Sequence, residues 1–411
     1  MKKLIFQLRR LKEKLWFKPL IFAVVSIGAA FLAHLTDGYD LDKWLPGIEK
    51  DSLKDLLETL TNSMLVIAIF AVASMLSAFS AASGTATPRS FQLIASDDLS
   101  QNALSVFIGS FIYSIVAGTS LKNGFYGDAG LFTLFVLTLL VFALVILTFL
   151  RWVERISKLG QLNHTIEKVE NAALQAFTYR YCHPYMEGRP VTIHESLQNV
   201  YSVTVGYIQA IDMEALQKDA EKEEATIVLN CQPGTYAAPG RPIAYVAAAI
   251  ASEQVTDAIR IAITIGRTRL YDDDPRFGFI ALSEIGSRAL SPGINDPGTA
   301  IAILDSQVRV FSEVTTVAPE KIKTVVKYRQ VQVPPLSMDD LFEDAFRAIA
   351  RDGAGNIEVM VIMQKAFRSL ATLPNNDIKR LARQYSQMSF NRAEKEMTFK
   401  EDLQTLKLHC L

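Results

Sequence analysis

The residue types best suited to chemistry gather in TRLYDDDPRFGFIALSEIGSRALSPGINDPGTAIAILDSQVRVF, residues 268–311. Asp-Pro occurs there twice, at Asp274-Pro275 and Asp296-Pro297, each ahead of a helical pattern. Asp is a favoured N-cap and Pro a favoured first helical residue, so capping alone accounts for both pairs. Between the two helices, Ser291, Pro292, Gly293 and Asn295 make a sharp turn. A turn of this composition directs backbone N–H groups toward one place, a geometry that binds anions. Alternatively, Asp272, Asp273 and Asp274 would hold a hard cation with Asp296, provided the two helix starts converge. Asp274, Ser291, Gly293, Asn295 and Asp296 are therefore the ligand-binding candidates.

A second group sits beside apolar segments. Arg89, Asp97 and Asp98 flank a membrane-length run, and two adjacent acids at such an edge would gather cations by focusing the local field. Helix capping for the acids and a lipid headgroup contact for Arg89 are the plainer alternatives. Within the apolar runs, Ser74 and Ser77, then Ser110 and Ser114, recur among small residues at helical spacing. Such stripes let helix backbones approach closely. The same hydroxyls would line a water-filled pathway along an oligomer axis.

Much else is missing. There is no phosphate-binding GxxxxGK[ST], no GxGxxG after a strand, no GxSxG and no HExxH. Cys182, Cys231 and Cys410 lack CxxC spacing, and Cys182 beside His183 is too little for a metal site. No cofactor is implied, and no enzymatic activity is nominated. The 42 Lys and Arg balance 43 Asp and Glu, and no basic patch is interleaved with aromatics, so nucleic acid is not an expected partner.

Four apolar segments, 19–36, 62–83, 101–120 and 129–151, are long enough to cross the ~30 Å hydrocarbon core of a bilayer. The first 18 residues carry seven Lys or Arg and one Glu, and Arg151, Arg155 and Lys158 follow the last span. The loop after the first span carries seven acids against three lysines. By the positive-inside rule both termini are cytoplasmic, and the first span is a retained anchor in place of a cleaved signal. The fourth span lacks small-residue stripes and reads as lipid-facing. From Val153 to Leu174 apolar residues keep helical periodicity, so that span is expected to continue as an amphipathic helix.

Beyond it, VYSVTVGYIQAID, TIVLNC and IAYVA read as strands, with MEALQKDAEK as a short helix between the first two. This order is similar to small barrel-sandwich modules of the lipoyl-like type, without a clear carrier lysine. Ser337 then opens a series of helices. The expected fold class is an α-helical membrane half of four spans and a cytoplasmic α+β half, with a small β-barrel-like unit and a helical bundle. The corresponding divisions are 1–151 for the membrane domain, 152–190 for the connecting helix, 191–250 for the β-rich unit and 251–411 for the helical domain.

RALSPGINDPGTA, with DPRFGF, TPRSFQ and GYIQAID, resembles a bacterial family of predicted membrane proteins, catalogued as a domain of unknown function, number twenty-two fifty-four. The resemblance implies a multi-span N-terminal region followed by a soluble region, and lends no catalytic residues. Two functions compete on the residues themselves. One is an inner-membrane homo-oligomer that conducts or transports a small ion or solute, with the soluble half as vestibule or gate. The other is a membrane-anchored sensor or scaffold that binds a small ligand or protein through its soluble half.

Overall fold

The computed structural model describes residues 14, 16–38, 47–95, 97–192, 197–247, 253–317, 320, 322 and 325–411. The basic residues at 2–13, and part of the acidic loop after the first span, lie outside them. The chain divides into two compact units, Lys3–Thr165 and Ile166–Leu411.

The first unit is helical. α1 (Phe17–Leu35), α2 (Lys50–Thr85), the short α3 (Phe91–Ala95), α4 (Asp98–Lys122) and α5 (Asp128–Leu159) follow in order. Four stretches, Phe17–Leu35, Lys50–Ala82, Phe91–Lys122 and Asp128–Leu159, are long and apolar enough to cross a membrane. At ~1.5 Å per residue the 36-residue α2 is about 54 Å long, well beyond the hydrocarbon core. In the third stretch 56% of the apolar window is buried, against 17%, 22% and 28% in the others. The third span is thus the central one, and α1, α2 and α5 pack around it.

Small residues explain that position. Gly109 lies against Phe22 and Ser26 of α1, where an added Cβ would come within 3.1 Å of both side chains. The outer helices turn Val24, Phe31, Val66, Phe70, Leu140 and Leu147 outward, as a lipid-facing surface requires.

The fourth span does continue past Arg151, but only to Leu159. Gly160 caps it, and α6 (Leu162–Cys182) starts afresh. Residues 88–90 are a turn, and the short α3 begins at Phe91.

In the second unit α6 contributes Val169, Ala173, Ala176 and Phe177 to the interior. The strands are β1 (Arg189–Pro190), β2 (Gln198–Tyr201), β3 (Gly206–Ile211), β4 (Thr226–Leu229), β5 (Tyr236–Ala237), β6 (Pro242–Ala247), β7 (Ile263–Gly266) and β8 (Val331–Val333). They form two open sheets, β1-β8-β4-β6-β2 and β5-β3-β7. No closed barrel results, which corrects the barrel-like expectation. The chain returns after two helices to place β8 parallel to both β1 and β4, so sequence-local pairing cannot close the module. The sheets also draw on residues either side of 191–250.

α7 (Met213–Lys222) and α8 (Glu253–Ala262) supply Leu216 and Ile259 to the sheet core. The remaining helices, α9 (Phe277–Ala289), α10 (Pro297–Thr315), α11 (Met338–Asp352), α12 (Ile357–Ala371), α13 (Asn376–Glu396) and α14 (Lys400–Lys407), form a bundle. Phe177, Phe279, Phe311, Phe342, Phe346 and Phe367 run through it as a continuous series of ring contacts.

Arg180 joins bundle to sheet. Its guanidinium is 2% exposed and donates to the carbonyls of His183, Pro184 and Pro334 and to Gln232 Oε1. None of these acceptors is a carboxylate. Burial without a counter-charge pushes the guanidinium down to about 10.

Candidate functional site

The membrane-edge acids are engaged in the fold. Asp97 is the N-cap of α4, 3% exposed, and accepts from the backbone N–H of Ser100 at 3.2 Å and its hydroxyl at 2.8 Å. Arg155, on the part of α5 beyond Arg151, donates to Asp97 Oδ1 at 2.6 Å. Asp98 is exposed and accepts from Lys18 Nζ at 2.5 Å. Arg89 is exposed.

The stripe hydroxyls divide between two environments. Ser110 and Ser114 are buried inside the bundle, and Ser114 donates back to the Ser110 carbonyl at 2.6 Å. Ser77 is exposed and Ser74 half-buried on α2. The four do not face one common channel within this chain.

In the second unit, α9 and α10 form a hairpin around the turn at Ser291–Asn295. Asp274 stands before the start of α9 and Asp296 beyond its end. Thirteen residues at ~1.5 Å separate them by about 20 Å, so the two Asp-Pro starts do not converge on a shared cation. Asp296 is the N-cap of α10, with Pro297 first in the helix, and accepts from Thr299 N at 3.0 Å and Thr299 Oγ1 at 2.6 Å. These bonds hold its carboxyl below the ordinary range.

The Asp274-Pro275 pair departs from that pattern, since α9 begins two residues later, at Phe277. Asp274 is 3% exposed and accepts from the N–H groups of Arg276 and Phe277. Arg269 grips it with two bonds, at 2.7 and 2.9 Å. Gly234 makes room for this pair: its φ is +89°, and an added Cβ would fall 2.2 Å from Asp274 Oδ2. Beside it Arg276 reaches Asp340 and Asp344 on α11. Burial raises the Asp344 carboxyl despite that bond.

The turn's amides are largely occupied from within. Ile294 N and Asn295 N donate to the Ser291 carbonyl, and Asp296 N to that of Ala289. Asn295 takes φ +50°, in the left-handed region that Asn tolerates, and Gly293 is open to solvent. An anion would find few backbone donors here.

What the turn does provide is one wall of a cavity of about 550 Å³, lined by Glu284, Ser287, Arg288, Ser291 and Asp352 with Leu290 and Pro292. Ser287 donates to Asp352. Burial acts to raise the Asp352 carboxyl, but Arg351, Ser287 and Arg392 outweigh it and hold it below the ordinary range. Of the five ligand candidates only Ser291 reaches this cavity. Glu284, Ser287 and Arg288 were readable in principle: they fall at i, i+3 and i+4 on one face of α9, with Ser291 in the turn just beyond it. Asp352 comes from α11 and carries no comparable signal.

Hydroxyls, carboxylates and a guanidinium around such a space can orient a small polar molecule. Among the described residues no cluster of three or more His, Cys, Asp or Glu is placed to hold a metal ion.

Four membrane-length helices followed by an open-sheet α+β unit define a multi-pass membrane protein with a large C-terminal α+β part. The profile of the family described as "Predicted membrane protein (DUF2254)" matches residues 12–369, and the chain belongs to that family. No curated protein and no solved structure matches the chain.

Proposed function

We infer that this protein is a membrane-anchored sensor or scaffold of the cell inner membrane, with both termini cytoplasmic, that binds a small polar ligand through its soluble unit. The carrying observation is the cavity bounded by Glu284, Ser287, Arg288, Ser291 and Asp352. The membrane unit supports the anchoring role. Its central helix buries Ser110 and Ser114, and its edge acids Asp97 and Asp98 are held by Arg155 and Lys18.

Thermal unfolding of the full chain in detergent, against a panel of amino acids, dicarboxylates and sugars, tests the reading. At least one compound should raise the midpoint, and Ser287→Ala should abolish that rise. A flat panel would sink it.

Transport through a homo-oligomer is the second reading, favoured by one observation. Ala73, Ser77 and Ala81 repeat every four residues on an exposed face of α2, a surface on which two helices can approach closely. A pathway would then form between protomers. Disulfide cross-linking of Ser77→Cys in native membranes, with ion flux from liposomes, tests it; a monomer without flux rules it out.

A further inference from the structure

Three segments of the second unit converge at one end of its smaller sheet. Tyr207 of β3 pairs with Tyr236 of β5 on one side and with Gly266 of β7 on the other. The loop at residues 202–205 leads from β2 into β3, and Tyr201 pairs with Pro242, which directly follows Arg241. Side chains alternate along a strand, so Tyr207 and, one step beyond the strand, Val205 lie opposite the buried Gly206 and Ile208. Tyr236 meets Tyr207 edge to face, and the Arg241 guanidinium lies over the Tyr236 ring, 5.8 Å from its centre.

The loop holds apolar side chains outward. Buried Ser202 donates to the Thr204 carbonyl at 2.6 Å and accepts from Thr204 N at 3.2 Å, which closes a tight turn with Val203 at its tip. Val203 is 68% exposed and Val205 59%, and Tyr201 and Tyr236 are exposed as well. A single exposed valine is ordinary, but valines and tyrosines gathered on a hydrogen-bonded turn and the adjoining strands mark an interaction surface. The charge around them has one sign. Residues 201–207, 236–241 and 263–267 include Arg241 and Arg267 and no carboxylate. Both guanidiniums are exposed, and among the described residues neither makes an ion pair. Arg260 of α8 donates to the Tyr201 carbonyl at 3.2 Å, and the acid it brings, Asp257, is already paired with it at 2.7 Å.

We propose that this end of the second unit seats on the anionic headgroup layer of the bilayer that holds the chain. Val203 and Val205 enter the upper acyl region, Tyr201 and Tyr236 lie at headgroup level, and Arg241 and Arg267 reach lipid phosphates. Tyrosine favours the boundary between an apolar region and water, and basic side chains are drawn to an anionic leaflet. Arginine adds a fork of donors for phosphate oxygens on a stem that tolerates apolar surroundings. Tethering favours lipid over a protein as the occupant. Two residues separate α5, the last membrane-length helix, from α6 of the second unit, so a bilayer is present at high effective concentration. The proposal is independent of the Ser291 cavity and of what that cavity binds.

The test places the full-length chain, carrying Cys410→Ser, in lipid nanodiscs with a polarity-sensitive fluorophore on Val203→Cys, on Val205→Cys or, as a control, on Gln384→Cys of α13. Gln384 is exposed. In discs of phosphatidylcholine with phosphatidylglycerol, the fluorophore at 203 or 205 is quenched by nitroxide-bearing lipid and shielded from aqueous iodide. At 384 the pattern is the reverse. Arg241→Gln and Arg267→Gln each lower the ratio of seated to free unit by about fivefold, the worth of one basic residue near an anionic surface. Molar salt and discs of phosphatidylcholine alone lower it too. Neither substitution shifts the unfolding midpoint, since neither breaks an ion pair. The proposal is overturned if nitroxide lipid quenches neither 203 nor 205, or if the quenching survives both arginine substitutions and molar salt unchanged. Shielding from iodide without quenching by lipid also overturns it, because a protein surface, such as a second copy of the chain, then covers the patch.

Discussion

Asp97 fastens two membrane helices with one carboxylate. It caps α4 through Ser100 and receives Arg155 from α5, at 3% exposure. Removing its charge leaves the cap acceptor but strands a partly buried guanidinium, and breaking such pairs costs about 3 kcal/mol or more. Asp97→Asn should therefore lower the unfolding midpoint of the detergent-solubilised protein markedly, whereas Asp98→Asn, exposed beside Lys18, should change it little. Acid sensitivity belongs to this scale as well. The Asp352 carboxyl is held below its ordinary value, so its contribution is complete above the unfolded value near 4 and is lost as pH falls through the folded one. Wild type should lose stability over that window more steeply than Asp352→Asn, as followed by thermal unfolding between neutral and acid pH.

At the scale of elements, close approach decides where helices go. An added Cβ at Gly278 of α9 would fall 2.3 Å from the Ala173 Cβ of α6, so the two backbones meet almost directly. Gly278→Ala should destabilise the second unit by about 1–3 kcal/mol through overpacking, measurable as a lower midpoint of chemical unfolding. In the membrane unit, Asp37 accepts from Gly127 N at 2.9 Å and Gly130 N at 2.6 Å, and so caps α5 from ninety residues away in sequence. Asp37→Ala should cost about 1 kcal/mol on the same assay in detergent, as for other lost helix caps.

The contrast between these caps marks what was legible in the sequence. Asp296 and Ser337 cap the helices that directly follow them, and local spacing revealed both. Asp37 caps across the chain, and Asp274 serves Arg269 from beside Gly234, so pattern alone could not reveal either. The four spans were readable because lipid demands long apolar runs. The β-rich unit was found, but barrel-like was too loose a word for its two open sheets, because strand identity is local and strand order is not.

For the whole molecule, the charge distribution of the sequence predicts a definite sidedness. A reporter active only in the cytoplasm, fused after Leu411, should be active. A reporter active only outside the inner membrane, inserted between α1 and α2, should be active as well, and the reverse pair of results would invert the topology. The family assignment, over residues 12–369, covers all four spans and the Ser291 cavity.

The placement of β8 has a consequence for synthesis. β4 gains its second neighbour only when Val331–Val333 arrives, about a hundred residues later, after α9 and α10 have been made. A ribosome adding residues one at a time leaves that strand edge open throughout the interval, and open strand edges recruit other chains. The second unit thus completes late in translation, and a pause or a premature stop between residues 250 and 330 should yield aggregation-prone fragments where a sequential fold would yield a stable intermediate.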